Sequence, residues 1–202
     1  MNGEPLSPHH GGPLRTVVPG YLGARWVKWV DTIIIATEES PNFYQQRDYK
    51  VLPPHVRISS SPPINSVDHD LLRQVESKEQ ARPFWSQYPS MTVLPLNSVI
   101  ARVDCIPNQT LYVKGYALAG PSGNVKAVEL TLDEGKSWKQ ATILFQEGKW
   151  SWTIWEAELE YTGEKGTIFS RAIDTGGNVQ PKDGVWNIRG VAYNGWGRGW
   201  YP

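Results

Sequence analysis

The chain has 202 residues, enough for one large domain or two small ones. Twenty basic residues balance twenty acidic ones, so the zero net charge gives no general attraction to nucleic acid or anionic lipid. One cysteine excludes an internal disulfide and a multi-cysteine metal site, and no apolar run is long enough to span a membrane. We therefore expect no nucleic acid, no membrane and no protein-ligated metal as partners.

Residues 1–30 are rich in glycine and contain no acidic residue between Glu4 and Asp31. The basic and imidazole side chains of this interval are His9, His10, Arg15, Arg25 and Lys28. Glycine lets backbone N–H groups approach an anion, and guanidinium groups bind phosphate in a forked geometry. The composition fits half of an anion site around a strand predicted at 15–18. Spacing alone favours a glycine-rich surface loop, because no phosphate-loop signature is present.

Residues 26–36 form a mostly apolar run with three consecutive isoleucines, Ile33 to Ile35. Such a run is typical of a strand inside a larger sheet. The segment before the next break has only about fifty residues, too few to build a core of its own. We therefore expect the chain to be a fragment of a larger protein, with the isoleucines left exposed. Further on, Asp68 to Arg82 is the one helix candidate, with Leu71, Leu72 and Val75 as its apolar stripe.

Residues 111–174 alternate between apolar and polar side chains in short segments that end at turn residues. Leu111, Val113 and Ala117 share one face, and Val128 to Leu132 alternate in the same way. Trp150, Trp152 and Ile154 are predicted to face the core, with Trp155 on the opposite face. Regular turns between short strands predict an all-β, immunoglobulin-like sandwich.

Three further expectations concern the ends of this sandwich. Residues 186–191 are predicted to be its last strand, and residues 194–200 have too many glycines for a regular element. Cys105, near its start, is interpreted as a buried and inert thiol.

Several short motifs of the sequence, taken together, resemble the sulfite oxidase family, whose architecture eukaryotic nitrate reductases share. The motifs that resemble the family's molybdenum domain are His10-Gly11-Gly12-Pro13-Leu14-Arg15, Val17-Val18-Pro19-Gly20 and Gly23-Ala24-Arg25-Trp26-Val27-Lys28-Trp29. The motifs that resemble the family's dimerisation domain are Lys114-Gly115-Tyr116-Ala117, Asp133-Glu134-Gly135-Lys136-Ser137-Trp138, Asn178-Val179-Gln180-Pro181 and Trp186-Asn187-Ile188-Arg189-Gly190. The match runs from end to end, apart from a loose middle between Pro53 and Tyr88.

The resemblance implies a division into three parts. Residues 1–56 correspond to the truncated remnant of a mixed α/β molybdopterin-binding domain, 57–88 to a linker with a short helix, and 89–202 to the immunoglobulin-like dimerisation domain. It also implies a molybdenum–molybdopterin cofactor in the complete protein. The residues implied to bind this cofactor are His10, Arg15, Trp26, Val27 and Lys28. Weak or absent binding is expected in this chain, because the family's molybdenum-ligating cysteine lies upstream.

Arg189 matches an arginine that the family directs at its oxyanion pocket, so the resemblance implies a role in binding substrate. The implied reaction is oxidation of sulfite to sulfate, with a homodimer formed through the sandwich, and the chain alone is expected to be inactive. A nitrate reductase fragment is the first alternative. A non-catalytic immunoglobulin-like module that stacks carbohydrate on Trp155 is the second. Neither the electron acceptor nor the compartment follows from the sequence.

Overall fold

The computed structural model describes residues 3–52, 57–59, 72–75, 77–121, 123–184 and 187–202. The chain forms two compact units, and each unit draws segments from both ends of the sequence. The first unit consists of Met1–Val17, Leu22–Thr92 and Val185–Tyr193. The second unit consists of Val18–Tyr21, Val93–Gly184 and Asn194–Pro202.

The described part of the first unit contains little regular structure. Its elements are helix α1 (Phe43–Gln46), strand β1 (Arg57–Ser59), strand β2 (Leu72–Gln74), helix α2 (Lys78–Ala81) and 3₁₀ turns at Pro8–His10, Gly23–Arg25 and Trp85–Gln87. Strands β1 and β2 pair antiparallel. A small core of Leu52, Val75, Ala81 and Trp85 is packed by Phe84, Tyr88 and Ile188.

The helix predicted between residues 68 and 82 is shorter than expected. Residues 60–71 and 76 lie outside the described residues, and Leu72 belongs to strand β2. Helix α2 begins at a capping box, in which Ser77 and Gln80 each accept the other's backbone N–H at 3.2 Å. Arg82, the C-cap residue, still has helical backbone angles, but Pro83 has no N–H to continue the helical hydrogen bonds, and the helix is one turn long.

The extended stretch around Arg15 is paired, although it is not a regular strand. The N–H of Thr16 donates to the carbonyl of Val27, and the N–H of Val30 donates to that of Leu14, both at 3.0 Å. Ile33 to Ile35 are exposed as predicted, and Ile35 is 98% accessible.

The second unit is a sandwich of two antiparallel four-stranded sheets. Its strands are β3 (Asn97–Ile106), β4 (Thr110–Leu118), β5 (Val125–Thr131), β6 (Lys139–Gln140), β7 (Thr142–Phe145), β8 (Thr153–Glu160), β9 (Gly166–Asp174) and β10 (Gly197–Tyr201). One sheet has the order β3-β4-β8-β7 and the other β10-β9-β5-β6. This architecture confirms the immunoglobulin-like fold that the turn spacing predicted.

Trp155 is the largest fully buried side chain of the sandwich core, and its predicted orientation was wrong. Strand β8 begins at Thr153, and its buried residues are Thr153, Trp155, Ala157 and Leu159. Trp150 and Trp152 precede the strand and are 47% and 54% exposed. Gly115 pairs with Trp155, and a Cβ there would lie 2.2 Å from the indole ring. Which alternate side chains of β8 point into the core is therefore determined by the bulky Trp155 indole, which fits over Gly115. The alternation of residues along the sequence did not indicate this contact.

The last strand also differs from the prediction. Residues 187–190 form a turn, with 185 and 186 outside the described residues, whereas the glycine-rich tail forms strand β10. A Cβ on Gly197 would lie 2.6 Å from the Ser98 carbonyl oxygen, and one on Gly199 would lie 2.9 Å from Ile100 and Val103. Glycine is needed here because the backbone of β10 packs directly against its neighbours.

Three remaining sequence expectations concern the thiol, metal ligands and membrane spans. Cys105 is exposed rather than buried, which corrects its interpretation as a core thiol. Among the described residues, no three His, Cys, Asp or Glu side chains are arranged to hold a metal ion. In the same part of the chain, no helix is long and apolar enough to cross a bilayer.

Candidate functional site

The five residues implied to bind the cofactor lie on two segments of the first unit that are bonded to each other. Arg15 Nη1 donates to the carbonyl of His10 at 3.2 Å, and the Arg15 guanidinium lies 5.9 Å from the centre of the Trp26 ring. Lys28 Nζ donates to the carbonyl of His9 at 2.7 Å. The bond between Thr16 and Val27 completes the pairing. His10, Arg15, Trp26, Val27 and Lys28 therefore form one cluster, which we call the N-terminal cluster.

One donor in the N-terminal cluster has no acceptor. Arg15 Nε is buried and has no hydrogen-bond partner among the described residues. A buried guanidinium donor without an acceptor is costly, and an anionic group such as a phosphate satisfies it well. Gly11 has a φ of +105° and is buried against the Lys28 side chain, whose Cβ would lie 2.8 Å from an added Cβ. The residues present therefore fit the phosphate of a pterin cofactor.

Arg189 lies in another part of the same unit, next to Asp48. Its Nη1 forms an ion pair with Asp48 Oδ1, and the two side chains are 19% and 18% exposed. The Arg189 guanidinium carbon is 6.0 Å from the centre of the Tyr49 ring. Tyr49 has a φ of +52°, a left-handed conformation that is unfavourable for an aromatic residue and often marks a functional site.

The turn that presents Arg189 is built by Asn187. The Asn187 Oδ1 accepts the N–H of Arg189 at 3.2 Å and that of Val191 at 3.3 Å. Its Nδ2 donates to the Val191 carbonyl at 2.9 Å. Asparagine favours such local bonds over strand pairing, which explains why residues 187–190 form a turn.

Arg25 holds the segment that carries Asp48 and Tyr49. Its Nε and Nη2 donate to the Met91 carbonyl at 3.0 and 2.9 Å. Its Nη1 donates to Gln45 Oε1 at 2.7 Å and to the Tyr44 carbonyl at 3.2 Å. The guanidinium also lies 5.8 Å from the Tyr49 ring centre. Arg25 is therefore a positioning residue for the segment around Asp48.

A cavity of about 610 Å³ opens beside Arg189. Among the described residues, its lining contains four cationic side chains and one carboxylate. The lining residues are Phe43, Arg47, Asp48, Lys78, Arg82, Trp85 and Arg189. We call this the basic cavity. Since Asp48 is paired with Arg189, the lining has an excess of positive charge and is suited to an anionic ligand.

The sequence singled out Arg189 and the N-terminal cluster as candidates but not the other residues that line the basic cavity. Arg47, Asp48 and Tyr49 lie in a polar, aromatic stretch that has no periodic pattern. Lys78 and Arg82 belong to the helix predicted between residues 68 and 82, where the sequence gives them no binding role. The available signal was the charged Arg47-Asp48 pair among aromatic residues, but spacing alone did not connect it to Arg189.

Two family models match the chain. Residues 88–199 match the Mo-co oxidoreductase dimerisation domain, and residues 1–44 match the oxidoreductase molybdopterin binding domain. The first match covers more than half of the 202 residues.

Sulfite oxidases and nitrate reductases are among the similar proteins. A sulfite oxidase of Arabidopsis thaliana is 34% identical over 98% of this chain and 49% of its own length. An inducible nitrate reductase of Glycine max is 35% identical over 98% of the chain and 22% of its own length. The mitochondrial sulfite oxidase of Rattus norvegicus is 34% identical over 98% of the chain and 34% of its own length. The chain thus spans half or less of the length of these relatives.

A solved structure is similar over the whole chain. The crystal structure of the sulfane dehydrogenase SoxCD from Paracoccus pantotrophus matches with a TM-score of 0.69 and 27% identity, over 98% of this chain and 46% of that one. Together with the two domain matches, this similarity confirms the resemblance that the sequence motifs indicated. The chain belongs to the molybdenum-cofactor oxidoreductase family that includes sulfite oxidases and nitrate reductases.

Proposed function

We propose that this chain forms part of a molybdenum oxidoreductase of sulfite oxidase type, which converts sulfite and water to sulfate, two protons and two electrons. The observation that carries the proposal is the half-buried Arg189 at the wall of the basic cavity. A sulfite ion that leaves water needs cationic donors to compensate its charge. Arg189 supplies such a fork, and Asp48 compensates the arginine charge while no substrate is bound.

The N-terminal cluster is proposed to hold the anionic part of the molybdopterin. Arg15 Nε offers a buried donor without an acceptor, and Lys28 adds a second cation to the cluster. His10, Trp26 and Val27 complete its wall. When bound, the molybdenum–pterin group supplies two-electron oxygen-atom transfer. The residues of this chain bind and orient, and the chain by itself is expected to bind the cofactor weakly or not at all and to have no turnover.

Two measurements test the proposal on the intact natural protein: metal analysis, and sulfite-dependent reduction of an added electron acceptor. Arg189→Gln is expected to lower kcat/KM about 10²–10³-fold, the usual cost of removing one donor to a developing oxyanion. Arg102→Gln is the matched control, because Arg102 lies on strand β3 of the other unit with a side chain that is 66% exposed. Equal activity of the two variants, or stoichiometric molybdenum with turnover in the isolated 202-residue chain, would contradict the proposal.

Nitrate is the alternative substrate, because nitrate reductases match the chain as well as sulfite oxidases do. Nitrate accepts electrons, whereas sulfite donates them. Sulfite-dependent reduction of an oxidised dye supports the sulfite proposal. Nitrate-dependent oxidation of a reduced dye, without the sulfite reaction, would replace it.

The second unit is proposed to pair with a second copy of the chain. It matches a family model described as a dimerisation domain, and two-fold pairing of like surfaces is the commonest form of oligomer. Light scattering at about tens of micromolar is expected to give the mass of a dimer. A strict monomer at that concentration would contradict this part of the proposal.

A further inference from the structure

The basic cavity has more cationic groups than a single small oxyanion at Arg189 uses. Arg47 Nη1 donates to the carbonyl of Arg82 at 3.0 Å, which brings these two arginines together. Lys78 is the first residue of helix α2 and Arg82 is its C-cap residue with helical backbone angles, and a spacing of four places their side chains on one face. The cavity therefore has a second cationic group, Arg47, Lys78 and Arg82, in addition to Arg189.

In the described part of the chain, no carboxylate lies within 4.0 Å of this second group. The ion pairs found there involve Arg102, Arg171, Lys182 and Arg189, each with an acidic residue within 4.0 Å. Arg47, Lys78 and Arg82 form none of them. Three unpaired cations at one cavity repel each other, so an anionic ligand would relieve that repulsion.

The cavity is also large and partly apolar. Its volume of about 610 Å³ lies within the range of pockets that hold whole organic ligands, roughly 300–1,000 Å³. Phe43 and Trp85 contribute aromatic surface to the same lining, and Trp85 is 6% exposed. A sulfite ion has no apolar part to cover such a surface, whereas an organic substrate has one.

We propose that the basic cavity takes a substrate longer than sulfite, an organic sulfur compound that carries a second anionic group. Its oxidised or oxidisable sulfur group binds at Arg189. Its second anion, a carboxylate or a phosphate, binds Arg47, Lys78 and Arg82, and its carbon chain covers Phe43 and Trp85. This inference rests on the proposed function for the role of Arg189, and it names the class of substrate.

The test uses two non-reacting ligands that differ in the second anion. Sulfoacetate carries a sulfonate and a carboxylate, and methanesulfonate carries the sulfonate alone. Isothermal titration calorimetry on the intact protein is expected to show that sulfoacetate binds about tenfold more tightly, because a charge-assisted contact is worth about that factor or more.

Variants of this second cationic group test which residues cause the preference for sulfoacetate over methanesulfonate. In Lys78→Gln/Arg82→Gln the preference for sulfoacetate is expected to fall from about tenfold to below about twofold. Arg82→Gln alone gives an intermediate ratio, which keeps the test usable if the double variant does not fold. Arg102→Gln, the matched control, keeps the full preference. Thermal unfolding followed by circular dichroism identifies any variant that has lost its fold.

Equal affinities for the two ligands in the unaltered protein would overturn the inference, as would a preference that survives in the folded double variant. Failure to bind either ligand would overturn it too. None of these results depends on turnover, so an absence of sulfite oxidation contradicts the proposed function and leaves the two-anion preference measurable by itself.

Discussion

The two units of this chain are stabilised in different ways. The second unit buries a continuous apolar core between two sheets, with Trp155, Leu111, Leu130 and Ile168 fully inaccessible. The first unit has a smaller core of four buried residues and extended segments whose side chains bond to backbone carbonyls. Arg25, Lys28 and Trp29 each make such bonds.

This difference associates global stability mainly with the second unit and ligand binding with the first. A sheet ladder with an apolar core satisfies its own backbone, so its surface charges are free to vary. In the first unit some cations do both: Lys28 bonds to a backbone carbonyl and belongs to the N-terminal cluster, and Arg47 bonds to the Arg82 carbonyl and lines the basic cavity. Changes to the second unit are therefore expected to alter global stability, whereas changes to the first unit alter local order and ligand binding.

The largest expected effect is on the sandwich core. Trp155→Ala removes a fully buried indole and is expected to lower the free energy of unfolding by about 3–5 kcal/mol. Trp152→Ala is the matched control, because that ring is 54% exposed and touches Tyr116 edge-on at 5.0 Å. The control is expected to cost about 0.5–1.5 kcal/mol. Urea unfolding followed by circular dichroism measures both, and a larger loss in Trp152→Ala would contradict the assigned parity of β8.

A second test concerns the glycines of β10. Gly199→Ala places a Cβ 2.9 Å from Ile100 and Val103, and is expected to lower the free energy of unfolding by about 1–3 kcal/mol. Gly23→Ala, in the first unit, is the control because no atom lies within 4 Å of the added Cβ. A drop in thermal stability for the Gly199 variant alone is the predicted outcome. If Gly199→Ala is neutral, the tail does not pack as described.

The third prediction concerns Arg25 and local order. Arg25→Gln removes the partly buried bonds to the Met91 carbonyl and Gln45 Oε1 and the exposed bond to the Tyr44 carbonyl, and the loss of one such bond costs about 0.5–1.5 kcal/mol. We expect faster amide hydrogen exchange over residues 44–49, with unchanged exchange in strands β4 and β8. Arg102→Gln serves again as the control for a lost guanidinium. Uniform acceleration through both units would show that they are not separable in this way.

The smallest effect is a pH-dependent one in the turn after β5. Asp133 accepts hydrogen bonds from the Ser137 hydroxyl at 2.6 Å, the Thr131 hydroxyl at 2.6 Å and the Ser137 N–H at 2.9 Å, and these bonds lower its pKa below the ordinary 3.8. Because the folded pKa is depressed, the stabilisation is present above pH 3.8 and is lost as the pH falls through the lower folded value.

Asp133→Asn is therefore expected to be less stable than the unaltered chain at neutral pH, and the difference should shrink as the pH drops below 3.8. Thermal melts at several pH values measure it. Glu164→Gln, a surface carboxylate in a turn, is the control and should show no such trend. A difference that stays constant down to strongly acidic pH would rule out the carboxylate as the cause.

The sequence determined the parts of the structure that depend on local pattern. Alternation at Leu111, Val113 and Ala117 gave the correct inward face of β4, because side chains on a strand alternate whatever lies opposite. The motifs that identified the family are likewise local, because each is a short run of consecutive residues.

Only the tertiary structure decided the features that depend on what lies opposite a residue. Trp155 faces inward because Gly115 leaves room for its indole, and β10 exists because two glycines let its backbone approach β3 and β9. The basic cavity likewise brings Asp48, Lys78 and Arg189 together from distant positions in the sequence. No one-dimensional pattern records such neighbours, because the energy of packing and of charge depends on distances in space.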